Sequence, residues 1–198
     1  MAMNSNQIVQ TLGPIVDALE RLSVPYHLGG SVASSLYGQP RSTQDVDLVA
    51  DLPSSLVRPF VKLLENDYYV VEEAIRDAIR HRSSFNLISH QTFMKVDIFI
   101  PKLRAFDQDA FHHGVRQRAI EPGGRLFPVA SPEVMVLNKL EWYQMGGRVS
   151  QRQWNDLIGV LKAQGPTLQL SYLAHWATVL QVTDLLEQAL VEAGLKQP

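Results

Sequence analysis

Three aspartates and one glycine pair carry the chemistry this sequence suggests most strongly. Val46 to Ala50 predicts a strand with Asp45 at its entry, so Asp45 and Asp47 flank Val46. Residues i and i+2 of a strand project from one face. Two carboxylates so placed repel each other unless a cation or a hydrogen-bond network lies between them. Mg²⁺ is a hard ion that takes one or two carboxylates together with phosphate oxygens. A third acid, Asp97, sits inside the apolar stretch Lys95-Val96-Asp97-Ile98-Phe99-Ile100. An acid there is expensive to bury unless it is paired or metal-bound. Gly29-Gly30-Ser31 falls between a strand pattern and a helix pattern. Glycines let a backbone approach a bulky anion, and a helix N-terminus offers unpaired N–H groups and a positive dipole end. The Ser31 hydroxyl adds a further donor. Each feature has a plainer reading by itself: a capped glycine turn, a solvated acidic face, an acid on the exposed side of a half-buried strand.

The elements that must position these residues follow from periodicity. Apolar positions from Ile8 to Leu22 recur at helical spacing, and Pro14 predicts a kink there or two short pieces. Tyr26 to Leu28 predicts a short strand, and Ser31 to Tyr37 a helix ending at Gly38. Pro53 opens a helix reaching about Glu65, and Tyr69 to Val71 suggests another strand. Phe85 to Ile88 and Lys95 to Ile100 are strands rich in β-branched and aromatic residues. Beyond Pro128 the pattern turns helical. Ser131-Pro132 combines a capping hydroxyl with proline at the first helical position. That helix runs through Lys139 and Trp142 to Gly146-Gly147. Ser150 and Gln153 form a capping box for the next helix, and two more cover Tyr172 to Leu180 and Thr183 to Ala193. The expected architecture is α+β: a mixed-sheet core over residues 1–129 and a C-terminal helical cap over 130–198.

Composition removes several classes. The chain has 198 residues, 45% of them hydrophobic and 19% charged, enough to bury a core. It has no cysteine, which excludes disulfides, cysteine–zinc sites, iron–sulfur clusters and a thiol nucleophile. No apolar run approaches the ~20 residues of a membrane-spanning helix, and no secretory signal is visible. Cytoplasmic residence and no membrane partner are expected. A formal net charge of −2 argues against a basic nucleic-acid-coating protein. Local basic groups remain: Arg76, Arg80, His81 and Arg82 read as a solvated helix end that could also meet phosphates. His112-His113 reads as solvated, because adjacent histidines do not converge on a metal. Trp142, Trp154 and Trp176 read as core anchors of the helical cap.

Taken together, Leu28-Gly29-Gly30-Ser31, Asp45-Val46-Asp47-Leu48 and Asp97 resemble the nucleotidyltransferases of the DNA polymerase β superfamily. The motif there is a hydrophobic residue, Gly, and Gly or Ser, then about a dozen residues, Asp-hydrophobic-Asp-hydrophobic, and a later carboxylate. The approach Arg41-Ser42-Thr43-Gln44-Asp45 is similar to that of the abortive-infection (AbiEii-like) toxin nucleotidyltransferases. Pro132-Glu133 leading to Lys139, and Arg152-Gln153-Trp154-Asn155-Asp156, extend that likeness; Gln153 stands where those enzymes have an acid.

The resemblance implies transfer of a nucleoside monophosphate from an NTP to a hydroxyl acceptor, with release of pyrophosphate. Asp45 and Asp47 would hold two Mg²⁺ ions about 3.5–4 Å apart, and Asp97 would bind the acceptor-side ion and take the hydroxyl proton. Gly29, Gly30 and Ser31 would cradle phosphates, Lys139 and Arg41 would contact the nucleotide, and Asp156 would be the late acid. An RNA acceptor and an antitoxin partner are expected for a toxin-like enzyme. A small hydroxyl compound of the aminoglycoside type, a protein hydroxyl, and a non-catalytic nucleotide- or partner-binding module are the alternatives.

Overall fold

A computed structural model describes residues 5–38, 45–112, 114–121 and 123–197. Arg41 and His113 therefore lie outside the described residues.

The chain opens with α1 (Ser5–Arg21), whose buried face is Thr11, Leu12, Ile15, Val16, Ala18 and Leu19. It runs unbroken through Pro14, not as two pieces. A proline inside a helix costs ~3 kcal/mol or more. Full burial of large aliphatic side chains such as Leu12, Ile15, Val16 and Leu19 returns about 1.5–3 kcal/mol each. β1 (Tyr26–Leu28), α2 (Gly30–Tyr37) and β2 (Asp45–Ala50) follow. A 3₁₀ turn (Ser54–Leu56) then leads into α3 (Val57–Leu64), where the sequence predicts one continuous helix from Pro53. The rest of the sheet region is β3 (Tyr68–Tyr69), α4 (Glu72–His81), β4 (Ser84–Ser89), β5 (Lys95–Phe99), α5 (Ala105–His112), β6 (Val115–Ala119) and β7 (Leu126–Ala130). After Ala130 the described elements are helical: α6 (Pro132–Met145), α7 (Gln151–Gln164), a 3₁₀ turn (Gly165–Thr167), α8 (Leu170–Val179) and α9 (Thr183–Glu192).

The seven strands form one mixed sheet in the order β3-β4-β5-β2-β1-β7-β6. β2 runs parallel to β5, β1 parallel to β7, and the other neighbours are antiparallel. Strand alternation splits the central strands into two faces. Val46, Leu48, Val96, Ile98, Phe85 and Leu87 enter the core with the apolar faces of α1, α3 and α4. The opposite face carries Asp45, Asp47, Lys95, Asp97 and Phe99, all at least partly accessible. This is the α+β arrangement with helices at the C-terminus that the sequence predicts.

Two devices fix the helices against the sheet. The Ser131 hydroxyl accepts from the Val134 N–H and starts α6 directly after β7, as expected from Ser131-Pro132. α2 docks on α7 backbone to backbone. A Cβ on Gly38 would meet the Val160 nitrogen at 2.9 Å, and Gln164 Nε2 donates to the Tyr37 carbonyl at 2.8 Å. One apolar cluster runs through both the sheet region and the helices, from Leu12 to Ala189. Among the described residues no helix is long and apolar enough to cross a membrane.

Candidate active site

Register brings the acids together. In the parallel pairing of β2 with β5, Asp47 lies opposite Asp97 and Asp45 opposite Lys95. The three carboxylates and one ammonium therefore occupy a two-by-two patch on one face. Neighbouring strands are about 4.8 Å apart. Lys95 Nζ closes on Asp97 Oδ2 at 2.7 Å. Lys95 is a site residue the sequence reading overlooked, although i and i+2 spacing from Asp97 puts it on the same face.

The glycine turn is shaped around Asp47. Gly30 has φ +56, the left-handed region that favours glycine. A Cβ at this position would overlap the Asp47 carboxylate itself. The Gly29 N–H donates to the Asp47 carbonyl at 2.9 Å, and the Ser31 backbone N–H donates to the Asp47 side chain. Turn, helix start and acid thus form one unit, with Ser31 buried at the first turn of α2. Burial, and then the neighbouring charges of Asp45 and Asp97, push the Asp47 carboxyl up to about 6. The Ser31 N–H and the Lys139 ammonium oppose that rise.

Lys139 comes from α6 and Asp156 from α7. They pair at 3.0 Å with both side chains 10% exposed. Lys139 is thus held by an acid as well as facing the cluster. Arg152, in the first turn of α7, is exposed and is in no ion pair among the described residues.

The Asp45–Asp47 side of the patch opens into a cleft of about 770 Å³ between the sheet and the helices, and Asp97 and Lys95 stand behind it, outside the lining. Gly29, Gly30, Ser31, Asp45, Asp47, Lys139, Arg152 and Asp156 line one part of it, and Phe99, Phe106, Phe111 and Trp142 another. That size lies within the range of small-molecule sites. Trp142 is 52% exposed on the cleft wall and meets Phe99 edge-on at 6.4 Å, so it is not the core anchor expected. Trp154 is buried, with its Nε1 donating to Glu192, and Trp176 packs on Phe106. His27 is buried on the cleft floor against Phe111, and its Nδ1 makes no hydrogen bond. Burial lowers its imidazole to about 4.

Arg104 neutralises the far wall by binding both Asp107 and Glu141. The basic run resolves into local pairs: Arg76 with Glu72, Arg80 and His81 with Asp77. Only Arg82 of that run lines the cleft, where it donates to the Pro101 carbonyl. His112 is exposed at the end of α5.

Comparison with solved structures settles the architecture. An antigenic nucleotidyltransferase-like protein from Paracoccidioides brasiliensis superposes with a TM-score of 0.57 over 96% of this chain and 94% of its own, at 18% identity. The antibiotic-resistance factor ANT(2'')-Ia gives 0.60 over 93% of this chain and 99% of its own, at 12% identity. The chain has the nucleotidyltransferase fold. The same resistance factor in complex with adenylyl-2''-tobramycin gives 0.59 over 86% and 97%, at 14% identity. No family model and no curated protein matches the sequence.

Proposed function

We propose that this protein transfers a nucleoside monophosphate from an NTP to a hydroxyl group with the help of Mg²⁺. The observation that carries the reading is the Asp47–Asp97 register pair set against the Gly29-Gly30-Ser31 turn. It combines a crowded acid cluster with a helix N-terminus aimed at the same cleft.

The carboxylates suit a hard divalent cation. Asp47 is pushed up first by burial and then by Asp45 and Asp97, and a cation relieves the like-charge part of that conflict. Asp45 and Asp47 would hold it, and when bound it neutralises charge on the phosphates. The chain's own groups do the rest. The N-terminal turn of α2, apart from the Ser31 N–H already given to Asp47, and the Ser31 hydroxyl would face the β- and γ-phosphates. Lys139, oriented by Asp156, adds a fixed positive charge, and Arg152 adds a second from the N-terminal turn of α7. Asp97 accepts the proton of the attacking hydroxyl. The hydroxyl oxygen bonds to the α-phosphorus, the bond from that phosphorus to the β-phosphate oxygen breaks, and pyrophosphate leaves with that electron pair.

The lining favours a small hydroxylated acceptor over RNA. Five cationic side chains (Arg82, Lys102, Arg104, Lys139, Arg152) stand beside five acids (Asp45, Asp47, Asp107, Glu141, Asp156). A polynucleotide groove needs a cationic excess. The toxin-like reading with RNA and an antitoxin rests on the resemblance around Arg41–Asp47 and Lys139–Asp156, of which residues 41–44 lie outside the described residues.

Labelled NTPs, Mg²⁺ and three acceptor pools (total RNA, mixed protein, small polyhydroxylated amines including aminoglycosides) test this against Asp47→Asn. Label entering one pool with the wild type alone is expected. Equal labelling by both proteins would refute the assignment of Asp47.

A further inference from the structure

Lys95 sits among the carboxylates that would hold metal, and its position has a consequence for how many ions the site accepts. Resting on the reading above, we propose that the Lys95 ammonium serves as a built-in cation for the acceptor-side half of the cluster, so that the nucleotide-free protein loads a single divalent ion, on Asp45 and Asp47.

The geometry is specific. Lys95 and Asp97 are two residues apart on β5 and share a face. In register, Lys95 lies opposite Asp45 and Asp97 opposite Asp47. Lys95 Nζ reaches Asp97 Oδ2 at 2.7 Å, and its charge is also stabilised by Asp45 and Asp47. An ordinary surface pair joins two exposed groups and contributes little. Here the acid is 18% exposed and has two further carboxylates behind it. Among the described residues, no three carboxylate or imidazole side chains converge on one point, and Asp97 meets the ammonium instead.

Charge counting agrees. Three carboxylates and one ammonium leave the patch at −2, which one divalent ion neutralises. A second ion on Asp97 would have to displace the ammonium from a contact of hydrogen-bond length. Lys95 is built to yield when the reaction requires it. Its side chain is 45% exposed on a flexible four-carbon stem, so it can rotate off Asp97 without moving the strand. Lys95 is in this sense a positioning residue: it holds the Asp97 carboxylate until an incoming hydroxyl or ion competes for it.

The test reads metal binding, not turnover. Mn²⁺ alone is titrated into the full chain without nucleotide at pH 7.5, with free Mn²⁺ followed by its electron paramagnetic resonance signal. The wild type and Lys95→Arg are expected to bind one ion. Lys95→Met and Lys95→Gln, which keep a stem of similar reach without the charge, are expected to take up a second ion and to bind the first at least tenfold more tightly. Circular dichroism checks that both variants are folded, and agreement between them guards against a packing artefact. One ion with unchanged affinity in both uncharged variants would overturn the proposal and leave the proposed function standing. Two ions in the wild type would overturn it likewise. No Mn²⁺ binding by any of the four proteins would overturn the metal-dependent function itself, and this proposal with it.

Discussion

Replacing Asp47 by Asn should change how stability depends on pH, because Asp47 and His27 titrate in opposite senses over the same window. Asp47 holds its proton up to about 6 in the native state, against 3.8 for the ordinary carboxyl. Between those values the native state binds more protons than the unfolded chain, so stability falls as pH rises, by about 3 kcal/mol across the window. His27 releases its proton near 4 in the native state, against 6.5 ordinarily. There the unfolded chain binds more protons, so stability rises with pH, again by about 3 kcal/mol. In the wild type the two contributions nearly cancel between pH 4 and 6.5. Asp47→Asn removes one of them while its side-chain oxygen still accepts from the Ser31 N–H. Its stability should therefore climb with pH relative to wild type by about 3 kcal/mol, or about 6–12 °C in Tm for a chain of this size. His27→Leu should show the reverse slope, since the lost Nδ1 has no partner to strand. Urea unfolding at half-unit pH steps from 4 to 7.5, with a chelator present, measures all three. Wild-type and Asp47→Asn curves running parallel through the window would refute the assignment of the raised proton affinity to this cluster.

Two further perturbations probe the site's construction. Gly30→Ala should both destabilise the fold by several kcal/mol and remove transfer activity, because the new methyl displaces the Asp47 carboxylate from a turn already at positive φ. Thermal melts and a transfer assay within twofold of wild type would contradict that. Lys139→Ala should destabilise the fold by removing the ammonium that pairs with the largely buried Asp156 carboxylate at 3.0 Å, and Lys139→Ala with Asp156→Ala should recover part of the loss. A double variant no more stable than the single one shows that the pair is not coupled, and NTP affinity measured in both separates phosphate contact from support.

The glycine turn, the paired-acid strand and the α6 cap were legible in the sequence because each depends on local geometry: positive φ at Gly30, alternation at Asp45 and Asp47, a hydroxyl before Pro132. What was missed depends on long-range placement. β6 reads as polar because it is an edge strand carrying Arg116 and Arg118. β7 is disguised by Pro128, which the sheet tolerates since the β1 pairing is confined to Leu28 and Val129. α4 is mostly solvent-facing, with only Ile75 and Ala78 buried, so its apolar stripe is too thin to stand out. Trp142 lies outside the buried core because it forms the cleft wall, and tryptophan at helical spacing does not distinguish those fates. Lys95 needed no long-range information. The alternation that pairs Asp45 with Asp47 pairs Lys95 with Asp97.

The close seating of α2 on α7 at Gly38 bears on how substrates come and go. At Gly38 no side chain separates the two helices, so sliding one past the other there would break the closest contact between them. The helix that begins at the Gly29-Gly30 turn and the helix that carries Arg152 and Asp156 are thus joined where they come closest, at Gly38 and Tyr37. Elsewhere the cleft lining is free of that constraint: the exposed ring of Trp142 and the long cation Arg152 can exchange rotamers on the fast timescale of exposed side chains, so the cleft pairs a fixed wall with an adjustable one.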